Sequence, residues 1–144
     1  MPDRSWVANE VGIRLATPLA GAGMSADDTA GSLKEPIDDA LRLLSYAEDD
    51  IPTAIPDDAS GFLALTRWTT LKAILERISS QFDLSTGGDS FRLSQVVGNV
   101  ERLLGLAEAD VIAIFGSHPA EMAAEILTLD LAYLAPVGER EYYG

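Results

Sequence analysis

Phe62-Leu-Ala-Leu-Thr-Arg-Trp-Thr-Thr-Leu-Lys-Ala-Ile-Leu-Glu-Arg-Ile-Ser-Ser-Gln-Phe82 is the stretch on which the fold turns. Phe62, Leu65, Trp68, Leu71, Leu75, Ile78 and Phe82 recur at steps of three and four, the spacing that lines up side chains on one face of an α-helix. Arg67, Lys72, Glu76 and Arg77 lie largely off that face. The stripe runs for roughly 30 Å of helix. Asp57 or Asp58, directly after Pro56, can cap its start, and Ser85-Thr86-Gly87-Gly88 breaks it. A rod with so long an apolar stripe must lay it on other elements, so this segment predicts a helical bundle.

On the C-terminal side a second long helix is predicted. Asp89, Ser90 or Ser94 can cap it. Val97, Val100, Leu104, Ala107, Val111, Ile114 and Phe115 form its apolar face, and Gly116 stops it. Gly98 and Gly105 fall inside it at about 1 kcal/mol each, which marks close packing, a kink or a tolerated cost. On the N-terminal side a shorter helix is expected from about Leu33 to Ala47. Ser32 and Glu35 have the spacing of a capping box, Pro36 falls in the permissive first turn, and Ile37, Leu41 and Leu44 share a face with Ala40 and Leu43 beside it. Asp49, Asp50 and Pro52 end it.

The two ends read differently. Residues 1–31 are punctuated by Gly12, Pro18, Gly21, Gly23 and Gly31, and Val11, Ile13 and Leu15 alternate with Gly12, Arg14 and Ala16 as in a strand. This stretch is expected to be an N-terminal arm that is either a loose tail or orders on a partner. Beyond Pro119, residues 120–126 suit a short fourth helix. Leu127, Leu129, Leu131 and Tyr133 then alternate with Thr128, Asp130 and Ala132, which favours an extended segment. Such a segment either packs on its own helices or joins a neighbouring subunit by strand addition or groove docking. The expected organisation is an arm over 1–31, a helical domain over 32–118 and an extended arm over 119–144. The expected fold class is mainly α, a bundle of three to four helices with extended terminal arms.

Composition narrows the function. The 144 residues suit one domain. Ten Lys+Arg stand against 23 Asp+Glu, a net charge of −13, which disfavours gripping a phosphate backbone. DNA sliding past an acidic wall remains compatible with it. The chain has no cysteine, so no thiolate chemistry is available. No secretory signal and no run long enough to span a membrane is visible, and a cytoplasmic setting, or an assembly made there, is expected. His118 is the only histidine, too little for a zinc site, and a structural role is expected of it. The acidic pairs Asp27-Asp28, Asp38-Asp39, Asp49-Asp50 and Asp57-Asp58 read as helix-end compensation rather than as sites. Asp83 to Ser94 lacks the twelfth-position Glu of a calcium loop. No catalytic residue, metal site or cofactor is expected, and the chain is not expected to be an enzyme.

Gly87-Gly88-Asp89-Ser90-Phe91-Arg92-Leu93, with Phe115-Gly-Ser-His-Pro119 later, resembles acyl and peptidyl carrier proteins. That resemblance would make Ser90 the attachment point of a phosphopantetheine arm at a helix N-terminus. The spacing departs from the pattern, because a carrier has a long loop before its Gly-Gly-Asp-Ser turn and here only a few residues separate Phe82 from Gly87.

A second resemblance covers about two thirds of the chain. Its features are the acidic turn Asp49-Asp-Ile-Pro52, the helix around Ala64-Leu-Thr-Arg-Trp-Thr-Thr-Leu-Lys72, and the turn Phe82-Asp-Leu-Ser85. They continue through Ser90-Phe-Arg-Leu-Ser-Gln-Val-Val97, Ala107-Glu-Ala-Asp110 and the closing Leu129-Asp-Leu-Ala-Tyr133. Together they resemble the small helical head–tail adaptors of tailed-bacteriophage necks. That family implies a homo-oligomeric ring, commonly of twelve copies, docked beneath the portal protein. Such a ring extends the DNA channel without specific DNA binding and receives the next neck or tail protein. It implies a place in the virion neck, reached by assembly in the host cytoplasm. Leu127, Leu129, Leu131 and Tyr133 would then be partner contacts, and Trp6, in a region that the resemblance does not cover, is a further candidate.

Overall fold

A computed structural model describes residues 2–27, 31–84 and 89–123. The protein is mainly α, with no strand among the described residues. Helices α1 (Arg4–Arg14), α2 (Ala16–Gly21) and α3 (Lys34–Leu43) are followed by a 3-10 turn at Ile51–Thr53 and two long helices, α4 (Ala59–Leu84) and α5 (Asp89–Phe115). Residues 119–123 add a further helical turn.

The central element is α4, which touches all four other helices. Its start is fixed by Asp58, whose Oδ1 accepts from the Gly61 amide at 2.9 Å. Phe62, Leu65, Leu71 and Ile78 are fully buried and Trp68 nearly so. Ile74 is also fully buried, whereas Leu75 is only partly so. The covered face is wider than a single stripe because α4 lies between α3 and α5. Three threonines sit inside that face. Thr66 donates to the Phe62 carbonyl at 2.7 Å, and Thr69 donates across to the Pro36 carbonyl at 2.7 Å, tying α4 to the first turn of α3. The Thr70 hydroxyl has no hydrogen-bond partner among the described residues.

The N-terminal segment corrects the reading of an irregular arm with a strand at 11–16. It forms α1 and α2, and Val7, Val11, Leu15 and Leu19 share one core with Phe62 and Leu65. The period-two match was incidental. Arg4, Val7, Ala8, Val11 and Leu15 are the true buried face, at helical spacing, while Ile13 is 67% exposed. Asp3 caps the helix by accepting from the Trp6 amide at 2.8 Å. Gly12 lies inside α1 where a Cβ would stand 2.7 Å from that of Ala26, so it serves a close approach and not a break.

Two helix ends also differ from expectation. The capping box does not form: Leu33 precedes α3 without a side-chain cap, and the Ser32 hydroxyl accepts from the Ser25 amide at 3.1 Å instead. The C-terminus of α3 falls at Leu43, because Ser45 takes a left-handed φ of 71°. The Ser45 amide donates to the Arg42 carbonyl and the Tyr46 amide to that of Leu41, the paired bonds of a Schellman ending. Gly116, at φ 75°, ends α5 where expected. In α5, Val100, Ala107 and Val111 are buried and Val97, Leu104 and Phe115 pack partly against the core, whereas Ile114 is 41% exposed.

Candidate functional site

Three features of this body bear on function: a charged cluster joining α1 to α3, a cleft between α3 and α4, and the outer face of α5. In the first, the Arg4 guanidinium meets the Asp38 carboxylate at 2.6 Å, and both side chains are at most a tenth exposed. Lys34 reaches the other Asp38 oxygen at 2.8 Å from a half-exposed position. Burial pushes the Asp38 carboxyl up, but the hydrogen bonds from Lys34 and Arg4 outweigh it and hold the carboxyl below its ordinary range. The same contact raises Lys34. Nearby, Arg42 grips Glu48 through Nε at 2.6 Å and through its second terminal nitrogen at 3.3 Å, and also contacts Asp39 at 2.6 Å. Every charge named here is matched, so the cluster reads as a tie between helices.

The cleft between α3 and α4 has a volume of about 440 Å3, with Pro36, Leu43, Trp68, Lys72, Ala73 and Ala123 among its walls. The Trp68 ring carries the Lys72 ammonium 4.5 Å from its centroid, a cation–π contact worth about 0.5–1 kcal/mol at an accessible position. Its indole N–H donates to Glu108 of α5 at 3.4 Å. Trp68 thus joins the core, the cleft and α5 in one side chain.

The outer face of α5 from Gly105 to Ile114, beyond the exposed Glu101 and Arg102, is unusually apolar. Leu106, Ile112 and Ile114 are each more than two fifths exposed, beside exposed Gly105, Ala109 and Ala113. The exposed charge in this stretch is Asp110, held by Arg67 of α4 at 3.0 Å. Neither Gly98 nor Gly105 has any atom within 4 Å of where a Cβ would stand, so the described body does not require glycine at either place.

Of the residues singled out in the sequence, Trp6 is partly buried on α1 and packs against the core. Ser90 belongs to the first turn of α5; Gly87-Gly88 lies outside the described residues. Leu127, Leu129, Leu131 and Tyr133 also lie outside them. His118 is held at both nitrogens: Nδ1 accepts from the Ala120 amide at 3.0 Å, and Nε2 lies 3.4 Å from Glu108. It caps the 119–123 turn. Among the described residues no group of three or more His, Asp or Glu side chains could hold a metal ion, and no helix is long and apolar enough to cross a membrane. Sequence reading missed the Arg4–Asp38 tie, although Asp3 ahead of Arg4, Val7 and Val11 carried the signal of a capped helix. Comparison with known protein families, curated proteins and solved structures finds no match.

Proposed function

We propose that this chain is a structural head–tail adaptor of a tailed phage. Its copies form a ring beneath the portal, extend the DNA channel and dock the next neck or tail component. The observation that carries the reading is the outer face of α5, where Leu106, Ile112 and Ile114 are exposed and Asp110 is already ion-paired. Chains of net charge −13 repel one another, so contact between copies is restricted to surface with little free charge, and this face supplies it. The resemblance of Asp49-Asp-Ile-Pro52, the Trp68 helix and Leu129-Asp-Leu-Ala-Tyr133 to phage adaptors supports the same reading. Residues 127–133 and Trp6 are the proposed partner contacts.

The test is to read the genes flanking this one for a portal protein and to co-express the two, followed by particle imaging and mass measurement. A ring of copies on the portal is expected, and Leu129→Asp with Leu131→Asp should abolish it while leaving helicity intact. The absence of a portal gene from the flanking sequence, or failure of the unaltered chain to bind the portal found there, would overturn the proposal. A carrier function is the competing reading, favoured by the position of Ser90 in the first turn of α5. Intact mass after incubation with a broad phosphopantetheinyl transferase separates the two, since a modified Ser90 would replace the adaptor reading.

A further inference from the structure

We propose that the cleft between α3 and α4 is the receptor for the segment that follows Ala123 in the same chain. After α5 ends, Pro119 is buried, and His118 fixes the turn through the Ala120 amide and Glu108. Met122 packs against the core, and Ala123 forms part of the cleft wall. The chain is therefore delivered into the cleft at the point where 21 further residues follow.

Those residues have the composition that the cleft lacks. Its walls offer partly exposed Leu43 and Ala73 over the buried Pro36 and Trp68 as apolar surface, and the sequence just after Ala123 supplies Ile126, Leu127, Leu129 and Leu131. Charge does not add to the fit, because Glu35, Asp39 and Glu76 also line the cleft beside Arg42 and Lys72; the apolar residues and the tether carry it. Reach is not limiting. The α4 wall from Trp68 to Glu76 runs about 12 Å at 1.5 Å per residue. An extended chain covers that in about four residues at roughly 3.3 Å each, and a helix in about eight. The chain's own segment is tethered at the cleft, so its effective concentration is on the order of millimolar, ahead of a second copy in dilute solution.

This inference holds whether or not the chain is an adaptor, since it concerns where the segment rests in the free protein. The cysteine-free sequence permits a direct test on the full chain. Ala73→Cys on the cleft wall combined with Leu129→Cys is treated with a short bismaleimide at low micromolar concentration. Digestion and mass spectrometry then locate the link. Arg67→Cys with Asp110→Cys, whose native side chains touch at 3.0 Å, is the positive control, and Ile13→Cys with Leu129→Cys is the reference for random collision. The expected result is an intrachain link between the two introduced thiols of the Ala73→Cys, Leu129→Cys chain, in at least roughly tenfold excess over that reference. Chains carrying one cysteine each, mixed in equal amounts, should give no comparable interchain link. An interchain product in the mixture would assign the cleft to a second copy and overturn the inference. So would a yield at the reference level while the positive control reacts. Neither result bears on portal binding, which the co-expression experiment reads separately.

Discussion

Replacing Asp38 by Leu takes one carboxylate contact from the buried Arg4 guanidinium, and replacing Arg4 by Met takes one of two cations from the Asp38 carboxylate and leaves it Lys34. Both side chains are buried, at 10% exposure for Arg4 and 8% for Asp38, where stranding a charge outright costs about 3–5 kcal/mol; because Lys34 stays on Asp38, the expected cost of each single change is at or below the lower end, about 3 kcal/mol. For a chain of this size, about 3 kcal/mol lowers the melting temperature by roughly 10 °C. The double replacement removes both charges together and puts two apolar side chains of similar bulk between α1 and α3. Substitutions of that kind come out within about 1 kcal/mol of the parent or better. The expected double-mutant cycle therefore shows two costly single changes and a double change that restores most of the loss, a coupling of several kcal/mol. Urea unfolding followed by far-ultraviolet circular dichroism measures it.

The same contact fixes a pH dependence. Asp38 sits below its ordinary value of 3.8 in the folded chain. Its contribution is therefore complete above about pH 4 and is lost as pH falls through the lower folded value. The gap in stability between the parent and Asp38→Asn should narrow as the solution is acidified below that point. Lys34, raised by the same carboxylate, contributes below its ordinary value and loses that contribution only under strongly alkaline conditions. Should both single replacements cost less than about 1 kcal/mol, α1 would not be docked on α3, and the case that the N-terminal helix belongs to the body would fail.

Two glycines should respond in opposite directions. Gly105→Ala adds a methyl into open space within α5 and should stabilise the free chain by about 0.5–1 kcal/mol. Gly61→Ala places a methyl about 2.6 Å from the Phe115 ring and 2.5 Å from the Asp58 carboxylate that caps α4, and should cost about 1–3 kcal/mol despite better helix propensity. Thermal unfolding of both variants tests the contrast. Among the threonines, Thr70→Val removes a buried hydroxyl without a described partner and should be neutral or stabilising by up to about 1 kcal/mol. Thr69→Val breaks the bond to the Pro36 carbonyl and should destabilise by about 1 kcal/mol or more. Equal effects from the two would refute the assignment of Thr69 as the α3–α4 tie.

The parts of this fold that were legible in the sequence share a cause. Apolar periodicity in α4 and α5 runs over many turns, so an occasional mismatch does not disturb it. Asp58 and Gly116 mark ends where one residue type meets the local need. What misled was short. Over residues 11–15, three apolar residues satisfy period two as well as they satisfy one and a half helical turns. The deciding positions, Arg4, Val7 and Ala8, lie in the preceding turns, and one of them is charged. A buried arginine counts against a core face until its carboxylate is known, and Asp38 lies 34 residues away. Ser32 and Glu35 had the right spacing for a cap but the wrong starting residue, because Ser32 was already committed to Ser25. In both cases a local rule lost to a longer-range partner.

The same reasoning explains why the α5 face stands out. Val100, Ala107 and Val111 fill one side of that helix, and an ordinary surface helix would carry charge on the other. Here the outward positions from Gly105 to Ile114 are glycine, alanine, leucine and isoleucine, with one carboxylate already bound to Arg67. In a chain with 33 charged residues among 144, leaving this stretch without free charge runs against composition. Gly105 adds a helix cost with no described atom near it to compensate. A helix retains such a face without penalty to solubility when something covers it. For a strongly acidic chain, a neutral face is where a like-charged neighbour can approach closely, and a small-residue surface brings the two backbones nearest. The outward side of α5 is therefore the place to look first for contact between copies, and Ile112→Glu tests it. That change should leave helicity unaltered, since Ile112 is 44% exposed, while blocking assembly with the portal. If rings still form with glutamate at this position, contact between copies lies elsewhere and the proposed adaptor loses its principal support in the fold.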